Sequence, residues 1–325
     1  MMARHGIEQQ QFNQRGFTLI ELMISLTLGL LVMLVASAAL VMSNGAYLHQ
    51  GDAMRVNDGA RYAGAIMARA IRQSAFVNRD GLAVPVGAAP EDSANISGLD
   101  ARSVSRDTDG IDGAPGTPVN GSDVLALRYA GAGTGAGGDG SVINCAGFGV
   151  PAPASAQERG WSIFYVAYDS DGEAELRCKY RGQGGWNADA IVRGVDSFQV
   201  LYGLDTDVPA DGVANQYVNA TALAALDNAL LLNGVDAAAR TRDLNQKTWW
   251  KRVRSVRIAL LLHGDAAAAP EHIPQQFDLF GQDYGTAFGA ADPGVRISEA
   301  GMPKELRSRV RKLIDITLVL RNDAR

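Results

Sequence analysis

The sequence predicts an α+β protein: one long N-terminal helix, then a head built mainly from antiparallel strands. Three observations carry that reading. Phe17 to Ser43 is an apolar run with a single charge, Glu21. Val56, Ala60, Ala63, Met67, Ala70, Ile71 and Ser74 then recur at three- and four-residue spacing, the period of a helix buried along one stripe. Past residue 120, short segments alternate with period two, the pattern of half-buried strands. The chain has 325 residues, 47% hydrophobic and 20% charged, with a net charge of −5. That is a globular composition, not a collagenous or disordered one. Its acidic balance argues against a nucleic-acid partner, because a phosphate backbone asks for a basic surface. Two cysteines exclude a Cys-dense scaffold and a four-cysteine zinc site, and four histidines leave little material for His-based chemistry. No cofactor is expected.

As a helix the apolar run would be about 40 Å long, enough to cross a hydrocarbon core of about 30 Å with tilt. Arg4 and Arg15 precede it, against one acid, Glu8. That bias places the N-terminus in the cytoplasm. A cleaved secretory signal is the alternative, with Ala36-Ser37-Ala38 as its small-residue site. Glu21 points elsewhere. A carboxylate in hydrocarbon costs about 2.5–3.5 kcal/mol at a helix centre and less near an end. It either reaches back to the headgroups or pairs with a positive charge from another chain.

The segment Arg15-Gly16-Phe17-Thr18-Leu19-Ile20-Glu21-Leu22-Met23-Ile24-Ser25-Leu26 resembles the class III signal of type IV pilins and type II secretion pseudopilins. The resemblance implies a pilin-like fold and a layout. Residues 1–16 would be a leader, 17–43 a transmembrane helix, 44–80 an amphipathic helix continuing into the head, and 81–325 a β-rich periplasmic domain. A prepilin peptidase would cut between Gly16 and Phe17, and Phe17 would become the N-methylated first residue. Glu21 would meet the N-terminal amine of a neighbouring subunit during assembly. A lone buried carboxylate and a lone buried amine are each costly, and together they are tolerable. Because the cut lies on the cytoplasmic side of the apolar run, the span stays on the protein.

The amphipathic stretch runs from Asn44 to about Asn78. Gly45, Gly51, Gly59 and Gly64 weaken it by about 1 kcal/mol each relative to Ala. They either permit bends or permit close packing. Residues 81–122 are rich in Ala, Gly, Pro, Ser and Asp and read as a long loop. Residues 130–141 read as a flexible Gly-rich insert. A phosphate loop is rejected there, since no Lys-Ser or Lys-Thr follows.

Strands are predicted at Asp123–Tyr129, Trp161–Tyr168, Glu173–Tyr180, Ile191–Tyr202, Val253–Leu262 and Lys312–Leu320. The second and third form a hairpin across Asp169-Ser170-Asp171-Gly172. Ala220–Leu232 is the helix candidate of this half. The simplest assembly is one largely antiparallel sheet on the N-terminal helix. The segments 194–207, 216–220, 253–262 and 319–322 resemble PilW-type pilus assembly proteins. The loop Asp207-Val208-Pro209-Ala210-Asp211-Gly212 departs from the tighter Asp-Gly-Asp-Gly run of that family.

An outward-facing head would sit in an oxidising compartment, where Cys145 and Cys178 would be bridged. Their placement in PilW-like proteins agrees with a disulfide. Three acidic loops invite a calcium reading: Asp107/Asp109/Asp112, Asp169/Asp171/Glu173 and Asp205/Asp207/Asp211. The twelfth residues counted from each start are Pro118, Tyr180 and Gln216, where an EF-hand needs Glu. No metal site is assigned, and the aspartates read as turn residues. His263, Asp265, Glu271 and His272 read as a solvated loop.

The expected function is therefore that of a non-catalytic, minor pilin-like subunit. It would help initiate or cap type IV pilus assembly at the inner membrane. Expected partners are the major pilin, other minor pilins, the prepilin peptidase, the inner-membrane assembly platform and membrane lipid. The alternatives are a minor pseudopilin of type II secretion, and a periplasmic enzyme or adhesin that uses the span as a tether.

Overall fold

The computed structural model of the chain describes residues 16–78, 85–113, 116–267 and 273–322. All of the expected leader except Gly16 lies outside them, as do Glu271 and His272. The chain divides into two compact units, residues 1–50 and 51–325, and each is taken by itself.

The first unit holds the start of helix α1 (Leu19–Gln73). Its side chains from Leu19 to Met42 are exposed. By length and composition this helix can cross a membrane.

In the second unit, residues 51–73 of α1 present the stripe expected from the sequence. Val56, Ala60, Ala63, Met67, Ala70, Ile71 and Ser74 are all buried. The two readings of the glycines separate here. A Cβ on Gly59 would lie 2.9 Å from Val192, so that glycine admits close packing. Gly51 has nothing nearby.

The stripe packs into one core shared by two antiparallel sheets. One sheet runs β1 (Ile96–Leu99), β2 (Val124–Tyr129), β3 (Gly160–Tyr168), β4 (Ala174–Gly182), β5 (Gly185–Arg193) in that spatial order. The other contains β6 (Val195–Leu204), β7 (Gln216–Val218), β8 (Val253–Ala267) and β11 (Arg309–Val319), ordered β11-β8-β6-β7. A small ribbon pairs β9 (Gln276–Asp278) with β10 (Arg296–Ser298). Short helices α2 (Ala220–Asn228), α3 (Ala237–Lys247), α4 (Gln282–Phe288) and α5 (Lys304–Arg307) fill the connections. The head is thus a two-sheet structure, where one sheet was the simplest expectation. Every residue of β2 and β6 is buried: β2 has apolar neighbours on both faces, while the second face of β6 packs Leu201 into a smaller apolar cluster and bonds Ser197 and Gln199 to loop carbonyls.

Three sequence expectations change. The segment Ile191–Tyr202 is not one strand. Gly194, at φ +76°, breaks it, so Ile191 ends in β5 of one sheet while Val195 starts β6 of the other. The Gly194 amide donates to the Ala174 carbonyl at 2.8 Å, and its carbonyl accepts from His263 at 2.7 Å. The helix read over Ala220–Leu232 ends at Asn228, and α3 follows it. The stretch read as loop over 81–122 contains β1, whose Asp100 neighbour caps α2 by accepting from the Ala220 and Thr221 amides. Residues 130–141 are stitched to the following chain: Ala132 donates to Val150, Asp139 to Ala132, and Ala152 to Gly133.

Candidate functional site

In the first unit the candidate residues are Gly16, Phe17 and Glu21. Phe17 is exposed. Helix α1 begins at Leu19, which makes Thr18 its N-cap and Glu21 its third residue. The Thr18 amide and hydroxyl both donate to Glu21 Oε2 at 3.0 Å, and the Glu21 amide donates back to Thr18 Oγ1 at 3.3 Å. This is a capping box, in which each side chain satisfies an N–H that the first helical turn leaves free. The pattern Thr-x-x-Glu was visible in the sequence, and the reading of Glu21 as an assembly residue overlooked it. In the isolated subunit the carboxylate therefore has a partner already, one residue from the expected new N-terminus.

In the second unit, Cys145 and Cys178 form a disulfide with Cα atoms 5.8 Å apart. It fastens the turn before Phe148 to β4. Asn144 Oδ1 closes that turn by accepting from the Ala146 and Phe148 amides at 3.0 and 3.1 Å.

His263 does not belong to a solvated loop. It lies buried in β8, between Glu173 Oε1 at 2.7 Å from Nε2 and Asp196 Oδ1 at 3.0 Å from Nδ1. A ring flanked this way donates to both carboxylates only as imidazolium. Arg311 extends the network, with Nε 2.7 Å from Asp196 and Nη1 2.6 Å from Glu299. Arg311, Asp196 and Glu299 are all buried. This network links the β3–β4 hairpin to β6, β8 and β11. Asp265, from the same expected loop, is exposed on β8.

The acidic loops divide in the same way. Asp169 Oδ1 accepts from the Asp171 and Glu173 amides at 2.8 and 3.0 Å and closes the hairpin turn, as a turn aspartate should. Asp109 accepts from Trp186 Nε1 at 2.6 Å. Asp205, Asp207 and Asp211 bring carboxylate oxygens within 4.8 Å of one another, and these are the residues arranged to hold a cation among those described. Asp205 already accepts from the Asp207 and Gly212 amides and faces Arg252 and Arg254, which explains its carboxyl staying below the usual range despite burial.

Lys179 is a buried cation that the sequence reading missed. Its Nζ donates to the carbonyls of Ser105 and Gly110 at 2.8 Å and lies over the Trp186 ring at 4.8 Å. Burial pushes its ammonium down to about 8. Nothing in a lone lysine on an alternating strand signals this, because the carbonyls that surround it come from a loop far away in sequence.

Residues 163–322 match the family model described as Type IV Pilus-assembly protein W. Residues 11–37 match the prokaryotic N-terminal methylation motif. No curated protein and no solved structure matches the chain. All four segments that resemble PilW-type proteins lie within residues 163–322, and Arg15 to Leu26 lies within the methylation motif. Together the matches support a type IV pilus-related, minor pilin-like role. The apolar helix behind that motif, the one among the described residues long and apolar enough to cross a membrane, fits a single-pass inner-membrane protein.

Proposed function

From a chain that carries the PilW domain behind an N-terminal methylation motif, we propose a non-catalytic minor pilin that helps initiate or cap a type IV pilus. A prepilin peptidase cuts between Gly16 and Phe17, and Phe17 is N-methylated. The helix stays in the inner membrane with the head in the periplasm, until other minor pilins and the major pilin draw the subunit into a filament. The observation that carries this reading is Glu21: the one charge in an exposed apolar face, set at the first turn of α1. Lipid covers such a face before assembly and neighbouring helices cover it afterwards. In the free subunit Glu21 is held by Thr18. In the filament it turns to a neighbour's terminal amine, exchanging neutral donors for a cationic one.

The test combines processing and charge. The intact mass of the membrane-extracted chain, with and without active peptidase, should show a peptidase-dependent species beginning at N-methyl-Phe17. Glu21→Gln keeps a competent capping box but removes the charge, so it should be processed normally yet fail to enter filaments. An uncleaved chain, or one cut after the apolar run, would refute the proposal. So would normal assembly of Glu21→Gln.

A further inference from the structure

A cavity of about 570 Å³ lies in the head between the 136–153 loop, the start of β3 and the β4–β5 turn. That size suits a small ligand rather than a stray solvent gap. Two features define what it would hold.

The first is charge. Arg159 and Arg181 line the cavity, and Arg128 is near enough to both to feel their charge. Arg159 is almost fully buried, and its guanidinium donates to the Ala156 and Ser93 carbonyls and to the side chains of Asn95 and Ser93. Arg128 donates to Ser93 Oγ and Gln157 O, while its buried Nε has no partner. The Asp92 carboxylate is near enough to favour the charged forms of Arg128 and Arg159, although neither pairs with it directly among the described residues. The one acid lining the cavity, Glu158, accepts from the Ala154 amide at 3.2 Å. The positive field is strong enough to show on Arg128, which is held down to about 9 by burial and by Arg159 and Arg181. The donors of Arg159 are taken by the protein, so Arg181, exposed on the cavity wall, is the cation left to meet an anion.

The second is an aromatic wall. Phe148 is 54% exposed and its ring lies 5.2 Å from that of Tyr180. The disulfide and the Asn144 turn hold Phe148 there. Asn187, exposed, also lines the cavity. Inorganic phosphate would use only Arg181. A ring with an apolar face, hydroxyls and a carboxylate uses the aromatic wall, the Asn187 amide and Arg181 together.

We propose that this cavity binds a carboxylated oligosaccharide of the uronic-acid type, with Arg181 on the carboxylate and Phe148 beneath a sugar ring. The probe is trigalacturonate, titrated by calorimetry into the full chain in detergent, with neutral maltotriose as the comparison. Trigalacturonate should bind, weaken with added salt, and exceed maltotriose by at least about tenfold. Arg181→Ala and Phe148→Ala change exposed side chains and should each weaken binding by about tenfold or more, while the unfolding midpoint stays near that of the parent. Absence of binding at about 10 mM trigalacturonate would overturn the proposal. Equal binding of maltotriose, binding indifferent to both substitutions, or tighter binding of a single-stranded oligonucleotide at the same residues would also overturn it.

Discussion

Asp52 of α1 and Asp265 of β8 meet across the core boundary: Asp52 Oδ1 accepts the Asp265 backbone N–H at 3.0 Å. The Asp52 carboxylate lies directly against Gly264, so closely that a Cβ at Gly264 would overlap it. This contact clamps the helix to the longest strand of the head. Gly264→Ala should lower the stability of the head by about 2–4 kcal/mol, from overpacking plus a lost charge-assisted hydrogen bond. Adding Asp52→Ala removes the overlap, so the double variant should be less destabilised than the sum of the two single ones. Urea unfolding of the four proteins checks this, and strict additivity would show that the two residues do not share one contact.

Arg311 is the second clamp. It is the cation shared by buried Asp196 and Glu299, and Asp196 also faces His263. Removing one member of a buried ionic network leaves charge in a low-dielectric interior. Arg311→Met should destabilise the head by about 3–5 kcal/mol. Arg311→Lys should recover only part of that, because an ammonium cannot fork to two carboxylates and the Leu306 carbonyl as the guanidinium does. Denaturant midpoints of the parent and both variants decide it: a Lys variant as stable as the parent would mean that geometry is unimportant and charge alone matters.

The disulfide makes a separable prediction. Cys145 and Cys178 are 33 residues apart, and closing a loop of that size stabilises by about 3–4 kcal/mol in the chain-entropy account. Cys145→Ser with Cys178→Ser should lower the unfolding midpoint by that equivalent, and reduction of the parent should reproduce it. A parent whose thiols label freely before reduction would contradict the bridge.

Local patterns in the sequence foretold local structure well. Each of the seven stripe residues from Val56 to Ser74 is buried, since helical period and core contact are the same fact seen twice. The β3–β4 hairpin follows its Asp-Ser-Asp-Gly turn, with Gly172 at φ +83°. What stayed hidden depends on register between distant strands. His263 stood 67 residues from Asp196 and 90 from Glu173, so no spacing could pair them. Helix α3 escaped because it buries no side chain and so has no apolar period; its signal was the Asp236 cap on Ala239. Gly194 was read as part of a strand, although a glycine between two apolar runs is equally the place where a chain leaves one sheet for another. The capping box at Thr18 and Glu21 was fully legible, and was overlooked because the carboxylate was read for its charge alone.

Lys179 gives a pH dependence with a definite sign. Burial lowers its ammonium from the ordinary 10.5 to about 8, with Asp109 and Asp107 opposing the shift. Below pH 8 the lysine is charged in both the folded and unfolded chain, and burying that charge costs stability. Between pH 8 and 10.5 the unfolded chain binds more protons than the folded one, so stability rises with pH. Above 10.5 the amine is neutral in both states and the cost is gone. The gain across this window should be about 1–3 kcal/mol. The neutral amine still has two N–H groups for the Ser105 and Gly110 carbonyls, so the loop stays attached. Lys179→Met removes the titration and leaves both carbonyls without this donor. It should therefore be less stable than the parent at pH 10, with a flatter profile between pH 7 and pH 10. Unfolding midpoints of parent and variant measured at matched ionic strength test this. Parallel profiles would mean that the ammonium is solvated in the folded head and does not titrate differently from a free lysine.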